Sequence, residues 1–171
     1  DEQFRGGFRY LFGGSNFTLP MQLSTAESIR DRFTEFIESA PGTKGSVLMM
    51  ECIPLHKIKT IPVESTAFNS RGSYYNIGVA YKWEDESLDT KVREFNRGFQ
   101  KSVRELGYND KSLADGIGGY LNYVNTESIS AEDAFGSNSK RLRGLKKQYD
   151  PDNVFDKLWK LVGQVEDQWL A

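Results

Sequence analysis

The sequence predicts an α+β fold, an antiparallel sheet with helices on one side, followed by a C-terminal segment of different character. Three observations point there. Residues 1–108 read in order as aromatic segment, helix, strand, strand, helix. The two helical stretches carry apolar residues on one face only. A glycine-rich break, "NDKSLADGIGG", then interrupts the pattern and sets a boundary, dividing the chain into residues 1–117 and 118–171.

The elements follow from local chemistry. In "LSTAESIRDRFTEFIESAPG" the apolar positions Ile29, Phe33, Phe36 and Ile37 share a face, and Pro41-Gly42 ends the helix. Ser24 and Glu27 have the spacing of a capping box. "KGSVLMMECI" is an apolar run of strand formers, which predicts a buried strand. "RGSYYNIGVAYKW" predicts a second. Its alternation puts Tyr75, Ile77, Val79, Tyr81 and Trp83 on one face and Tyr74, Asn76, Gly78 and Ala80 on the other. Two readings fit that small, polar face: a solvated side, or a surface across which a ligand lies. "ESLDTKVREFNRGFQKSVRELGY" predicts a longer helix, capped by Ser87 and ended by a left-handed Gly107. Beyond the break, "YLNYVN" reads as a short strand and Ser130 caps "AEDAF". A helix starts at Asn138 or Ser139 with Leu142, Leu145 and Tyr149 inward. Asp150 or Asn153 binds local amides where Pro151 stops it. A last helix carries Phe155, Leu158, Leu161, Val162, Val165 and Trp169.

Composition narrows the function. The charge of −2, from 22 basic and 24 acidic residues, gives no field for nucleic acid, and the "SKRLRGLKK" flank reads as a solvated helix face. No apolar run is long enough to span a bilayer, so no membrane partner is expected. With one cysteine and one histidine, Cys52 and His56, neither an internal disulfide nor a multi-ligand zinc site can be built. Their spacing admits a thiol nucleophile, but a packed thiol is the simpler reading. The opening "DEQFRGGFRYLF" has neither initiator Met nor targeting segment, the pattern of an excised piece. "NFT" makes Asn16 a glycosylation sequon, of use to a secreted protein.

The C-terminal block carries a resemblance. Tyr120, Asn122 and Tyr123 are followed at fixed spacings by Gly136, Asn138, Arg141, Leu142, Lys146, Asp150, Pro151, Asn153 and Phe155. This pattern resembles the C-terminal signature of berberine-bridge-enzyme-like FAD-linked oxidoreductases, within the vanillyl-alcohol-oxidase superfamily, and is closest to fungal members. The resemblance implies that residues 1–117 are the later part of a substrate domain, whose antiparallel sheet roofs the flavin. It makes residues 118–171 the segment completing the FAD-binding domain. The cofactor implied is FAD, held mainly by a region absent from this chain, so an N-terminal FAD-binding chain or fragment of the same protein is the expected partner. The implied activity is that of a secreted oxidase moving hydride from an alcohol, sugar or specialised metabolite to flavin, with reoxidation by dioxygen. The other reading is a catalytically silent binding or structural module derived from such an oxidase.

By the same resemblance Tyr123 is the catalytic base. A tyrosine titrating near 10 needs a cation or hydrogen-bond donor beside it to act so at neutral pH. Asn122 positions the segment at the flavin edge, with Tyr120 packed beside it. Asn76 falls where relatives carry a Glu or Gln, and with Tyr74 it would line the substrate face. An amide there binds a hydroxyl but cannot accept a proton as a carboxylate does.

Overall fold

The computed structural model describes residues 6–107, 120–123, 130–156 and 161. Its centre is a three-stranded antiparallel sheet of β1 (Arg9–Thr18), β2 (Val47–Glu51) and β3 (Tyr74–Trp83), in the order β1-β3-β2. The α+β expectation holds, and the aromatic N-terminal segment, for which alternation gave no element, is the ten-residue strand β1. Helices α1 (Leu23–Ser39) and α2 (Asp89–Gly107) cover one face. There Ile77, Val79, Tyr81 and Trp83 meet Ile29, Phe36, Val92, Phe99 and Val103, all buried. Each such side chain contributes about 1.5–3 kcal/mol of burial free energy.

Asp89, in the first turn of α2, fastens three elements at one corner. It accepts from Arg9 Nε and Nη2 at 2.6 Å each and from Trp83 Nε1 at 2.8 Å. The start of β1, the end of β3 and the start of α2 therefore meet at one carboxylate. Arg9 in turn holds the carboxyl of Asp89 below its ordinary range.

Several local expectations are corrected. Gln22, not Ser24, precedes α1, and no side chain caps that helix; Ser24 lies inside it, and its carbonyl accepts from Ser28 Oγ at 2.8 Å. Asp85, not Ser87, supplies the cap before α2, accepting from the Ser87 amide at 2.9 Å. Gly107 does not have the left-handed backbone expected of it. It is glycine because a Cβ there would stand 2.7 Å from Phe17 Cβ.

In the C-terminal part, α3 (Ala131–Phe135) starts from a capping box of Ser130 and Asp133, and α4 (Ser139–Tyr149) follows. The Ser130 cap and the Ser139 start agree with the sequence. Leu142 packs on a small second core with Ala131, Ala134, Phe135, Leu121 and Leu161. Leu145 and Tyr149, expected inward, are exposed. Asp150 accepts from the amides of Val154 and Phe155 at 2.8 and 3.0 Å, closing the turn after α4. The expected last helix falls almost wholly outside the described residues.

Candidate active site

The site lies on the sheet face away from the helices. Antiparallel register sets Gly14 opposite Gly78, Asn16 opposite Asn76, and Glu51 opposite Asn76 from the other side. Residues directly opposite project to the same face, so two glycines and a row of polar side chains lie together. The occupant of that floor is Tyr123. A Cβ on Gly14 would come within 2.6 Å of Tyr123 Cβ, and one on Gly78 within 3.1 Å of Tyr123 Cε2. The glycines on this face are covered by the chain's own Tyr123.

The glycine pair in "LFGGSNF" thus serves both faces of β1. Gly13 looks toward α2, where its missing Cβ makes room for the Asn96 side chain, and Gly14 looks the other way, toward Tyr123. Side chains alternate along a strand, so one Gly-Gly pair opens one gap on each side.

Residues 120–123 form a turn, not the expected strand, with the Tyr123 amide donating to the Tyr120 carbonyl at 2.8 Å. The Tyr120 and Tyr123 rings meet edge to face at 4.9 Å. Asn122 is exposed, and its Nδ2 donates to Tyr120 Oη at 2.9 Å. The segment is also tied to the rest of the chain downstream. Asn138 stands at the N-cap position of α4 without a side-chain cap bond, and its Nδ2 instead donates to the distant carbonyls of Val63 and Thr66 at 2.9 and 3.0 Å. Gly136 has a φ of +53°, and a Cβ there would meet Asn69 Nδ2 at 3.0 Å.

The chemistry centres on one contact. Tyr123 Oη donates to Glu51 Oε1 at 2.7 Å. That hydrogen bond, then desolvation and the charge of Glu51, push the Tyr123 phenol up to about 12. The neighbour required to activate Tyr123 was a cation or a donor; the neighbour found is a carboxylate, which does the reverse. Asn76 Nδ2 donates to Glu51 Oε2 at 3.5 Å and its Oδ1 accepts from Asn16 Nδ2 at 3.4 Å, so both ends of that amide are engaged within the chain. Tyr74 is buried at the start of β3, its hydroxyl donating to the Ser70 carbonyl at 3.4 Å. Burial pushes its phenol upward.

Asn16 is 2% exposed, with its amide nitrogen turned to Asn76. A glycan on that nitrogen is incompatible with this packing, so the expected glycosylation at Asn16 is withdrawn and the sequon gives no support to secretion. Glu51 was missed altogether. Its one signal was an acidic residue ending an otherwise apolar strand run. Among the described residues no group of acidic, Cys or His side chains has the arrangement of a metal site. No helix among them is long and apolar enough to cross a membrane.

Residues 119–157 match the family described as "Berberine and berberine like". An FAD-linked oxidoreductase of Aspergillus ruber, fogF, is 31% identical over 82% of this chain and 29% of its own length. The berberine-like match covers the C-terminal part of the chain, and fogF is similar over most of the chain's length. A second relative, pgmH of Aspergillus terreus, is 23% identical over 94% of the chain and 34% of the relative. The chain therefore spans about a third of the length of both. Its fold is that of aclacinomycin oxidoreductase, at a TM-score of 0.65 with 18% identity, covering 91% of this chain and 33% of that one. Berberine bridge enzyme from Eschscholzia californica superposes at a TM-score of 0.62 with 16% identity, over 88% of this chain and 32% of that one. Tyr120, Asn122 and Tyr123 stand at the start of the berberine-like segment, and the sheet they close on, with Glu51, lies upstream of it.

Proposed function

We propose that this chain supplies the substrate-deprotonating part of an FAD-dependent oxidase. A hydroxyl of an alcohol, sugar or specialised metabolite loses its proton to the Tyr123–Glu51 pair as hydride leaves the adjoining carbon. The observation behind this reading is the 2.7 Å bond from Tyr123 Oη to Glu51 Oε1 over a floor of two glycines. A phenol raised to about 12 is a poor base alone. In the pair it works as a relay. The substrate proton moves to Oη while the Oη proton moves to Oε1, so Glu51 gains one proton, the substrate oxygen loses one, and no phenolate accumulates. Glu51 is then the proton acceptor and Tyr123 the group that touches substrate.

FAD, when bound, would supply the hydride acceptor and the route of the electrons to dioxygen. The residues here fit one side of it only. Asn122 is exposed and Tyr120 half-buried beside the relay, and both would flank the cofactor, while the glycine floor is already filled by Tyr123. The cofactor would be held mainly by another region of the same protein.

The test is anaerobic stopped-flow reduction of the flavin in the full-length protein, using Glu51→Gln and Tyr123→Phe. Each should slow reduction by about 10²–10⁴, the usual worth of a positioned acid or base, with the flavin spectrum unchanged. Reduction within a few-fold of the parent in both variants would refute the relay.

A further inference from the structure

We propose that Asn16 and Asn76 are positioning residues, a buried amide pair that holds the Glu51 carboxylate against Tyr123. The proposal rests on the relay described above for its purpose, but it can be read without turnover.

Both carboxamides are almost fully buried, Asn16 at 2% and Asn76 at 3% exposure, on neighbouring strands. The register places them in one row with Glu51. Asn16 Nδ2 donates to Asn76 Oδ1 at 3.4 Å, Asn76 Nδ2 donates to Glu51 Oε2 at 3.5 Å, and Tyr123 Oη takes Oε1 at 2.7 Å. A carboxamide has one accepting and one donating end. By supplying a donor to the oxygen of Asn76, Asn16 turns the nitrogen of Asn76 toward the carboxylate. With that amide reversed, oxygen would face oxygen and Glu51 would be driven off Tyr123.

The two amide contacts are long for hydrogen bonds, so they contribute orientation more than binding energy. Their burial is the second observation. Glycine and alanine fill the neighbouring positions Gly78 and Ala80 on this face. Two amides in the same row cost desolvation that an apolar pair would not. A neutral donor on Oε2 also leaves the negative charge of Glu51 uncancelled, as a proton acceptor requires. A lysine or arginine in that place would tie the carboxylate up as an ion pair.

The test follows the Tyr123 phenol by ¹³C NMR of the full-length protein labelled with [¹³Cζ]tyrosine. The Tyr123 signal is the one missing from Tyr123→Phe. At pH 10.5, a phenol titrating at about 12 is about 3% ionised, and one at the ordinary 10 is about three-quarters ionised. Glu51→Gln sets the full effect. Asn76→Leu and Asn16→Leu should each let Glu51 swing away and raise the ionised fraction several-fold toward that limit. Tyr120, the other titratable group acting on Tyr123, is unchanged throughout. Because Asn16 acts through Asn76, the double variant should match Asn76→Leu alone.

An ionised fraction unmoved in Asn16→Leu, or effects of the two substitutions that simply add, would overturn the proposal. Should the leucine variants fail to fold, Asn16→Thr and Asn76→Thr suit a strand and carry hydroxyls too short to bridge, so the same comparison applies. Shifted ionisation together with unimpaired flavin reduction in Glu51→Gln would leave the positioning intact and remove the relay instead.

Discussion

Gly14→Ala tests whether the sheet and the berberine-like segment are joined as described. The new Cβ would lie 2.6 Å from Tyr123 Cβ, 3.2 Å from Tyr123 Cδ2 and 3.0 Å from the Ile77 carbonyl oxygen. Carbon pairs rest at about 3.5–4.0 Å, so about 1 Å must open. Rotation of the ring cannot supply it, because Tyr123 Cβ is bonded to the backbone. β1 is held by its ladder to β3 over ten residue pairs. The 120–123 turn must therefore lift. Moving Oη by about 1 Å takes its 2.7 Å bond to Glu51 beyond hydrogen-bond range. Overpacking costs about 1–3 kcal/mol, offset by about 0.4–1 kcal/mol for the lost freedom of glycine in the unfolded chain. Gly78→Ala is the control. Its nearest atoms are Tyr123 Cε2 at 3.1 Å and Met49 Cε at 3.4 Å, the far ends of side chains that can yield. Its net effect should be within about 0.5 kcal/mol of zero by the same two terms. Denaturant midpoints of both variants, with the ionised fraction of Tyr123 at pH 10.5, measure the outcome. The reasoning fails if Gly14→Ala keeps the parent's midpoint and tyrosine signal, or if Gly78→Ala is the more damaging change.

Two further outcomes follow from the phenols of Tyr81 and Tyr123. Tyr81 is fully buried in the helix-facing core, and its hydroxyl has no hydrogen-bond partner among the described residues. Tyr81→Phe should then be at least as stable as the parent, by up to about 1 kcal/mol, and a urea midpoint that fell would show the hydroxyl to be bonded. Tyr123 keeps its proton to about pH 12 when folded and releases it near 10 when unfolded. Its contribution to stability is complete below pH 10 and lost as the pH rises through 12. Tyr81, raised by burial, adds to the same decline, so the comparison is between slopes. Stability of Tyr123→Phe, measured by urea at several pH values from 9 to 11.5, should fall less steeply than that of the parent.

Much of the frame was legible because it depends on local chemistry. The alternation in "YYNIGVAYKW" gave both faces of β3, and the stripe through Val92, Phe99 and Val103 gave the buried side of α2. The Ser130 cap and the Asp150 turn also followed from residues within five positions of each other. What failed depended on distant partners. "RYLFGGSNFT" contains two adjacent glycines that weaken a strand by propensity alone. It is a strand because β3 pairs with it and because Asn96 and Tyr123 fill the two gaps. Gly107 does end α2, but it was given a left-handed backbone for the same reason: nothing nearby in sequence announces the approach of Phe17.

The site divides along the same line. Tyr123 was found from a linear signature, but its chemical setting depends on strand register, which a one-residue slip would reverse. Counting along one strand put Asn76 where relatives carry an acid or amide, and the absence of an acid there counted against a carboxylate mechanism. The register of β2 with β3 restores one, since Glu51 stands opposite Asn76 and 2.7 Å from the Tyr123 hydroxyl. A sheet can supply a side chain to a given point from either neighbouring strand, because directly opposite residues lie only about 5 Å apart on one face. In the proposed relay the acid comes from the end of the adjoining strand rather than from β3. The amide left at position 76 is then free for a different task, which is to hold that acid in place.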